Sequence, residues 1–440
     1  MSTSLKMMGQ ELIRRGGYAP LLILALALMM ARLLAAARVL EVAEFAGYSA
    51  TLLVSSSFCM LGALGLQIML QRDLPELLRR GQARHGMILL MQAVIVTMSC
   101  AIVGLLACLI FPSAAGSQAL TSTAFATGVL HGLSQQFFLL VTIESRSRGR
   151  TLEFATQYLT RSLAVVTIGL SVMSSTGSAQ WGAAAEAATT LAVCVTLLGR
   201  IASRAQVSIA TSAILAIRRA NSICWKSASM LLSVFVLSWC TQNMDRWIAE
   251  RTLAIQSFAV YAFAANAMVV ASAVQMTANA SLFPQLARRF AASGRWAAFR
   301  LAAQFSAALA AVGLVASPVA LLAWRLLIEH WFPQYEDSIE IAPMLIAVCV
   351  VRIADYWTSF LIIIGAERKL LLAAGCSIAL VSIGWLVALC SYGLPTALSI
   401  AWLALALAGS WFVVALGVSW RESRRLARSD GLDDQPDKLN

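Results

Sequence analysis

Twelve runs of about 20 mostly apolar residues follow one another through the 440-residue chain, and nothing else in it constrains the fold as strongly. A helix rises about 1.5 Å per residue, so each run can cross the roughly 30 Å apolar core of a bilayer. The first six are Ala19–Leu40, Gly47–Met69, Met87–Phe111, Thr121–Ile143, Leu152–Ser174 and Trp181–Leu198. A longer polar stretch separates them from Ser227–Ile248, Phe258–Phe283, Leu301–Trp324, Ile341–Gly365, Leu371–Tyr392 and Thr396–Trp420. Hydrophobic residues are 60% of the chain and charged residues 12%, about half the charged share of an average soluble domain. The expectation is an all-α integral membrane protein with twelve transmembrane helices.

The placement of charge orders the spans. With the N-terminus in the cytoplasm, 26 of the 33 Lys and Arg residues fall in cytoplasmic segments. The connections near Pro112–Ala119, Ser175–Gln180 and Gly393–Pro395 then lie outside and carry no charge. A missed or invented helix would scramble that alternation, so both ends are expected inside. Arg exceeds Lys 29 to 4 in an Ala-rich chain, which hints at a GC-rich bacterial genome and an inner-membrane location. Arg14-Arg15 ahead of the first run resemble an export signal, but that run carries Arg32 and many spans follow, so it reads as a retained helix.

A phrase repeats. LPELLRRG (Leu74–Gly81) and FPQLARRF (Phe283–Phe290) place their prolines 209 residues apart. FAGYSA (Phe45–Ala50) precedes the first and FAVYAF (Phe258–Phe263) the second, in the same order and at similar spacing. The second span therefore corresponds to the eighth, and the repeat is six helices. An even repeat keeps its orientation. This predicts two six-helix bundles related by a pseudo-two-fold axis along the membrane normal, with substrate near the midplane. The expected organisation is a bundle over residues 1–200, a cytoplasmic linker over 201–226, a second bundle over 227–420 and a cytoplasmic tail over 421–440. Ser208–Ile217 in the linker suits a short amphipathic interfacial helix.

Other classes are disfavoured. The net charge of +12 sits in short loops without the aromatic interleaving that stacks bases, so no nucleic-acid partner is expected. Nine scattered cysteines form no C-x-x-C, and three distant histidines form no H-E-x-x-H, so neither a disulfide framework, a metal site nor a cofactor is expected.

The motifs also carry a family likeness. AARVLEVAEFAGYSA (Ala36–Ala50) resembles the junction of the first two spans in polysaccharide flippases of the multidrug/oligosaccharidyl-lipid/polysaccharide exporter superfamily. MDRWIAERTLAIQSFAVYAFA (Met244–Ala264) resembles their Asp-Arg followed by Tyr-Ala; FPQLAR and SRSRGR (Ser145–Arg150) are similar to their Pro-x-Leu and basic-turn motifs. Ala46 departs from the Gly that often follows Phe there, and the last four spans match only in length. The resemblance implies a V-shaped pair of bundles around a central cavity. It also implies alternating access, and a polyprenyl-pyrophosphate-linked oligosaccharide carried to the external leaflet for surface or exopolysaccharide synthesis. Implied partners are that lipid-linked substrate, the bilayer, a coupling proton or sodium ion, and a polysaccharide polymerase and export complex. The chain lacks the extra helix pair of some peptidoglycan-precursor flippases, which disfavours that cargo.

Ionisable side chains inside a membrane cost about 2.5–3.5 kcal/mol each on the insertion scale, so they mark candidate sites. Arg32, Arg161 and Arg352 are the deepest cations, and Arg38 and Arg246 sit toward the ends of the first and seventh spans. A guanidinium offers paired donors to phosphate oxygens and keeps its charge, so all five are candidate substrate-binding groups. Each also has a structural reading: Arg352 neutralising Asp355 at i+3, Arg38 snorkelling to headgroups. Glu186, Asp355 and Asp245 are the candidate ion-coupling acids, Glu186 first because no basic residue sits at helical spacing on its own run. Two alternatives stay open. A drug or metabolite antiporter of the same superfamily is the first. The second is a membrane glycan polymerase or ligase using the acids of Arg325–Glu340, although an enzyme is not the expectation and no residue is singled out as catalytic.

Overall fold

The computed structural model describes residues 18–110, 119–392 and 395–427. The expected basic N-terminal segment, most of the first external connection and the acidic end of the tail lie outside them. The described residues are helical almost throughout, and no strand occurs among them.

The chain forms two compact units, Met1–Val236 and Leu237–Asn440. The first contains α1 (Ala19–Val39), α2 (Val42–Leu61), α3 (Leu66–Arg79), α4 (Ala83–Ile110), α5 (Ser122–Ser147), α6 (Thr151–Thr176), α7 (Ala179–Ala205) and α8 (Ile209–Arg218). The unit boundary falls inside α9 (Trp225–Thr252); then come α10 (Ile255–Trp331), α11 (Ser338–Ala354), α12 (Trp357–Ile363), α13 (Glu367–Tyr392) and α14 (Ala397–Ala427).

Nine described helices are long and apolar enough to cross a membrane, or ten when α2 and α3, bent by 50°, count as one span. The twelve expected runs all map onto helices, but the second, seventh, eighth, ninth and tenth are built differently. The second is broken by a turn in which Leu64 and Gly65 adopt left-handed backbone (φ 47° and 83°). Gly65 is obligatory there, because a Cβ would lie 2.3 Å from the Ala228 carbonyl oxygen. The seventh, α9, is 28 residues long but carries Gln242, Asn243, Asp245, Arg246, Glu250 and Arg251, which lower its hydropathy. The eighth and ninth runs form α10, which stays helical through its basic stretch except at Gly294 (φ 74°, ψ −176°). Both copies of the repeated Pro-x-Leu phrase thus lie on helix rather than in loops.

In the first unit α1 packs on α6, α2 on α5, and α7 on both α5 and α6. The α2–α5 approach is close because Gly128 and Gly132, one helical turn apart, remove the side chains that would intervene. A Cβ on either would come within 2.8 Å of an α2 backbone oxygen, Thr51 or Ser55 respectively. Such small-x-x-x-small pairs let membrane helices meet backbone to backbone. In the second unit α10 packs on α11, and α14 on α11 and α13. The outward faces are apolar, as lipid contact requires: Val103 and Leu109 on α4, Val315 and Val319 on α10, Leu380 on α13. The expected amphipathic linker helix is α8, which buries Ser212 and Ala216 and leaves Ile214 and Ile217 exposed.

Replacing Gly132 by Leu should destabilise the protein by about 1–3 kcal/mol or more through overpacking against α2, whereas Gly199→Leu, where nothing lies within 4 Å of a Cβ, should be tolerated. Thermal unfolding of the two variants in detergent checks the contrast.

Candidate functional site

Glu186, in the middle of α7, is fully buried and lies against α6, where a Cβ on Gly169 would meet its Cγ at 2.7 Å. A bare carboxylate in that position would be far too costly, and three helices supply its partners. Arg32 of α1 donates from Nη1 to Oε2 at 2.6 Å, and Tyr48 of α2 donates its hydroxyl to Oε1 at 2.8 Å. His131 of α5 places Nε2 3.2 Å from Oε2, with its Nδ1 2.7 Å from the Ser55 hydroxyl. Arg32, Tyr48 and His131 are themselves buried.

The network continues. Gln135, one turn beyond His131, has its Nε2 3.5 Å from the imidazole Nε2. Its Oε1 accepts from the Arg161 guanidinium of α6. Arg161 also reaches the Thr190 hydroxyl at 3.4 Å and stands over the Phe138 ring at 4.7 Å. None of these partners is a carboxylate. The first unit therefore buries two guanidiniums, Arg32 and Arg161, around one acid.

The second unit has its own polar centre, a cavity of about 250 Å³ lined by Thr241, Gln242, Gln275, Arg352, Asp355 and Trp411 among others. It forms where the tenth span breaks: α11 ends at Ala354, and Asp355 takes extended backbone (φ −73°, ψ 91°) before α12. The Asp355 carboxylate accepts from the Thr358 backbone N–H and hydroxyl and from the Trp411 indole (3.4, 2.9 and 3.0 Å), as a helix cap does. Carbonyls freed by the break are taken up too: Ser306 donates to Ala354 and Gln275 to Asp355. Interrupted helices at membrane depth persist where other protein groups or a cavity satisfy the backbone, as here.

That break corrects one expectation. Arg352 and Asp355 do not pair along the helix, because Asp355 has left it; Arg352 instead donates to the Thr241 and Gln242 carbonyls, both at 3.2 Å, and its Nε has no hydrogen-bond partner. Asp245 and Arg246, adjacent on α9, bond different partners. Tyr261 donates to Asp245 at 2.6 Å, and Arg246 donates to the Ala265 carbonyl at 2.9 Å. Arg38 is exposed in the last turn of α1, apart from the buried groups.

Of the eight candidates, Arg32, Arg161 and Glu186 thus meet in one network and Arg352 and Asp355 line one cavity. A larger cavity of about 440 Å³ between α3, α4 and residues 222–224 holds Arg72, Asp73 and Glu76. Those ions pair locally, Arg72 with Asp73 and Glu76 with Arg79 and Arg80, so it is not the candidate site. Among the described residues no group of three or more His, Cys, Asp and Glu is placed to hold a metal.

Sequence reasoning missed His131, Tyr48 and Tyr261. The signals were present: His131 sits inside G-V-L-H-G, and the two tyrosines are the equivalent positions of the FAGY and FAVY repeat. Each repeat tyrosine holds a buried carboxylate.

Losing one partner of a buried ion pair leaves the other uncompensated and costs about 3–5 kcal/mol. Glu186→Leu should therefore lower thermal stability in detergent sharply, and the double variant Arg32→Met/Glu186→Leu should recover most of the loss.

No family profile matches this sequence, and neither does any curated protein. The fold does have solved counterparts. The lipid II flippase MurJ in an inward-closed conformation superposes with a TM-score of 0.60 at 10% identity, over 96% of this chain and 93% of that one. A Vibrio cholerae MATE transporter gives 0.60 at 13% identity, over 96% and 98%. The eukaryotic MATE transporter AtDTX14 gives 0.53 at 13%, over 96% of each chain. The chain is a multi-pass membrane protein with the fold of these three solved structures.

Proposed function

We propose that the chain is a flippase that moves a polyprenyl-pyrophosphate-linked oligosaccharide from the cytoplasmic to the external leaflet, with both termini in the cytoplasm. The observation that carries the reading is Arg161, a buried guanidinium whose bonds go to an amide, a hydroxyl and an aromatic face. A buried cation without a counter-charge is expensive to keep, and an anionic headgroup entering the site would supply one. Arg352, with its unpartnered Nε at a polar cavity, offers the same chemistry in the second unit. The neighbouring hydroxyls and amides, Ser238, Gln242, Gln275 and Thr358, suit sugar hydroxyls. The five arginines named from sequence divide under this reading. Arg161 in the first unit and Arg352 in the second are each headgroup-binding groups, and Arg32, Arg38 and Arg246 are further substrate-binding groups.

A second reading, a drug or metabolite antiporter, draws support from Asp245, whose buried Oδ1 has no hydrogen-bond partner and would suit a cation.

Cells depleted of the protein should accumulate lipid-linked oligosaccharide on the cytoplasmic side, read in inverted membrane vesicles. The wild type should clear it. Arg161→Ala should slow clearance about tenfold or more, the loss expected when a charge-assisted hydrogen bond worth about 1.5–3 kcal/mol is removed. Normal crossing in depleted cells, with changed export of small organic cations, would favour the antiporter.

A further inference from the structure

The imidazole of His131 shares an oxygen with a guanidinium. Oε2 of Glu186 lies 2.6 Å from Arg32 Nη1 and 3.2 Å from His131 Nε2, while Arg32 Nε is buried with no hydrogen-bond partner. On its other side the ring meets Ser55, whose hydroxyl can donate to Nδ1 or accept from it. We infer that His131 is the proton-binding residue of the first unit, and that charging it frees Arg32 from Glu186 to take an anionic phosphate headgroup. The inference rests on the transport reading above and assigns the coupling ion, a proton, to the histidine rather than to an acid.

The geometry provides for both states. With the ring neutral, Nε2–H donates to Glu186, Nδ1 accepts from Ser55, and Arg32 neutralises the carboxylate. With the ring charged, Nδ1–H donates to Ser55, whose hydroxyl hydrogen can turn to the carbonyl one helical turn back. Glu186 is then neutralised by the imidazolium, and two cations compete for Oε2. Arg32, on the longer and more flexible stem, is the one that can leave.

The charged and titratable groups facing the ring are Arg32 of α1, Tyr48 of α2, Arg161 of α6 and Glu186 of α7. From α3, Gln67 meets Gln136, and α4 meets α5 through Gly104 against Val129 and Cys108 against Ser122. The thiols of Cys59 and Cys194 bond to Gln136 and to the Ser134 carbonyl, away from the ring. With the ring neutral the cluster carries two cations and one anion; with it charged, three and one. Proton and anionic headgroup therefore bind together, each strengthening the other.

The sequence has three histidines, and His85 and His330 are exposed, so they serve as references. The full chain, labelled with 15N-histidine and held in lipid nanodiscs, would be followed by NMR from pH 8 to pH 5. The third ring signal, identified by its loss in His131→Gln and His131→Asn, should pass from neutral to charged imidazole in that range. In Glu186→Gln it should stay neutral. A wild-type ring that stays neutral throughout overturns the inference. In inverted vesicles, wild-type clearance of the lipid-linked cargo should differ about tenfold or more between pH 6 and pH 8, as expected where transport requires one group to be protonated, and His131→Gln should be flat. A ring that titrates while wild-type transport stays flat also overturns it. The NMR titration uses no cargo, so its failure is distinguishable from a failure of the cargo assignment.

Discussion

The first unit is organised by one buried carboxylate. Glu186 draws donors from α1, α2 and α5 while resting on a glycine of α6. A charge in that position cannot be left alone, so the helices that bear its partners are held to a single arrangement. The close approaches follow from the same requirement. Gly169 lets Glu186 sit against α6, and Gly128 and Gly132 bring α5 near enough to α2 for His131 to bridge Ser55 and the acid. Packing and polar chemistry specify the same geometry, which is how a well-determined site is built.

The second unit solves a similar problem by a different route. Its repeat tyrosine, Tyr261, also bonds a buried acid, but that acid is Asp245 on the preceding span rather than a residue of the last helix in the half. Its cavity comes from a broken helix whose freed carbonyls are taken up by Ser306 and Gln275, while Thr358 and Trp411 donate to the Asp355 carboxylate. The repeated phrases each place a tyrosine against a buried acid, and the acids differ. The two halves carry distinct polar centres, one dominated by an ion pair and one by a cavity.

Much of this was legible in the chain because membrane insertion writes itself in simple periods. Apolar run length marked helices that the structure contains, and the Pro-x-Leu repeat placed the second and eighth runs in equivalent positions. The breaks were harder to read. Nothing in the local pattern of Val351–Thr358 announces that α11 stops at Ala354, since the cap on Asp355 is completed by Trp411, 56 residues away. The same limit hid the Arg32–Glu186 pair, which spans 154 residues. Pairing rules along one helix could only offer Arg352 to Asp355, and the tertiary break overrode them. Histidine spacing along a chain speaks to metal binding, where further ligands are needed, and the contact of His131 with Glu186, 55 residues on, exists only in the folded helices.

The central claim is that buried positive charge selects an anionic lipid-linked cargo. The most direct measurement compares two cargoes in proteoliposomes of the purified chain: a fluorescent polyprenyl lipid joined to the same oligosaccharide through pyrophosphate in one case and through a neutral ether in the other. The account predicts rapid transbilayer movement of the pyrophosphate-linked lipid and little movement of the neutral one. Equal movement of both, or of neither, would contradict it.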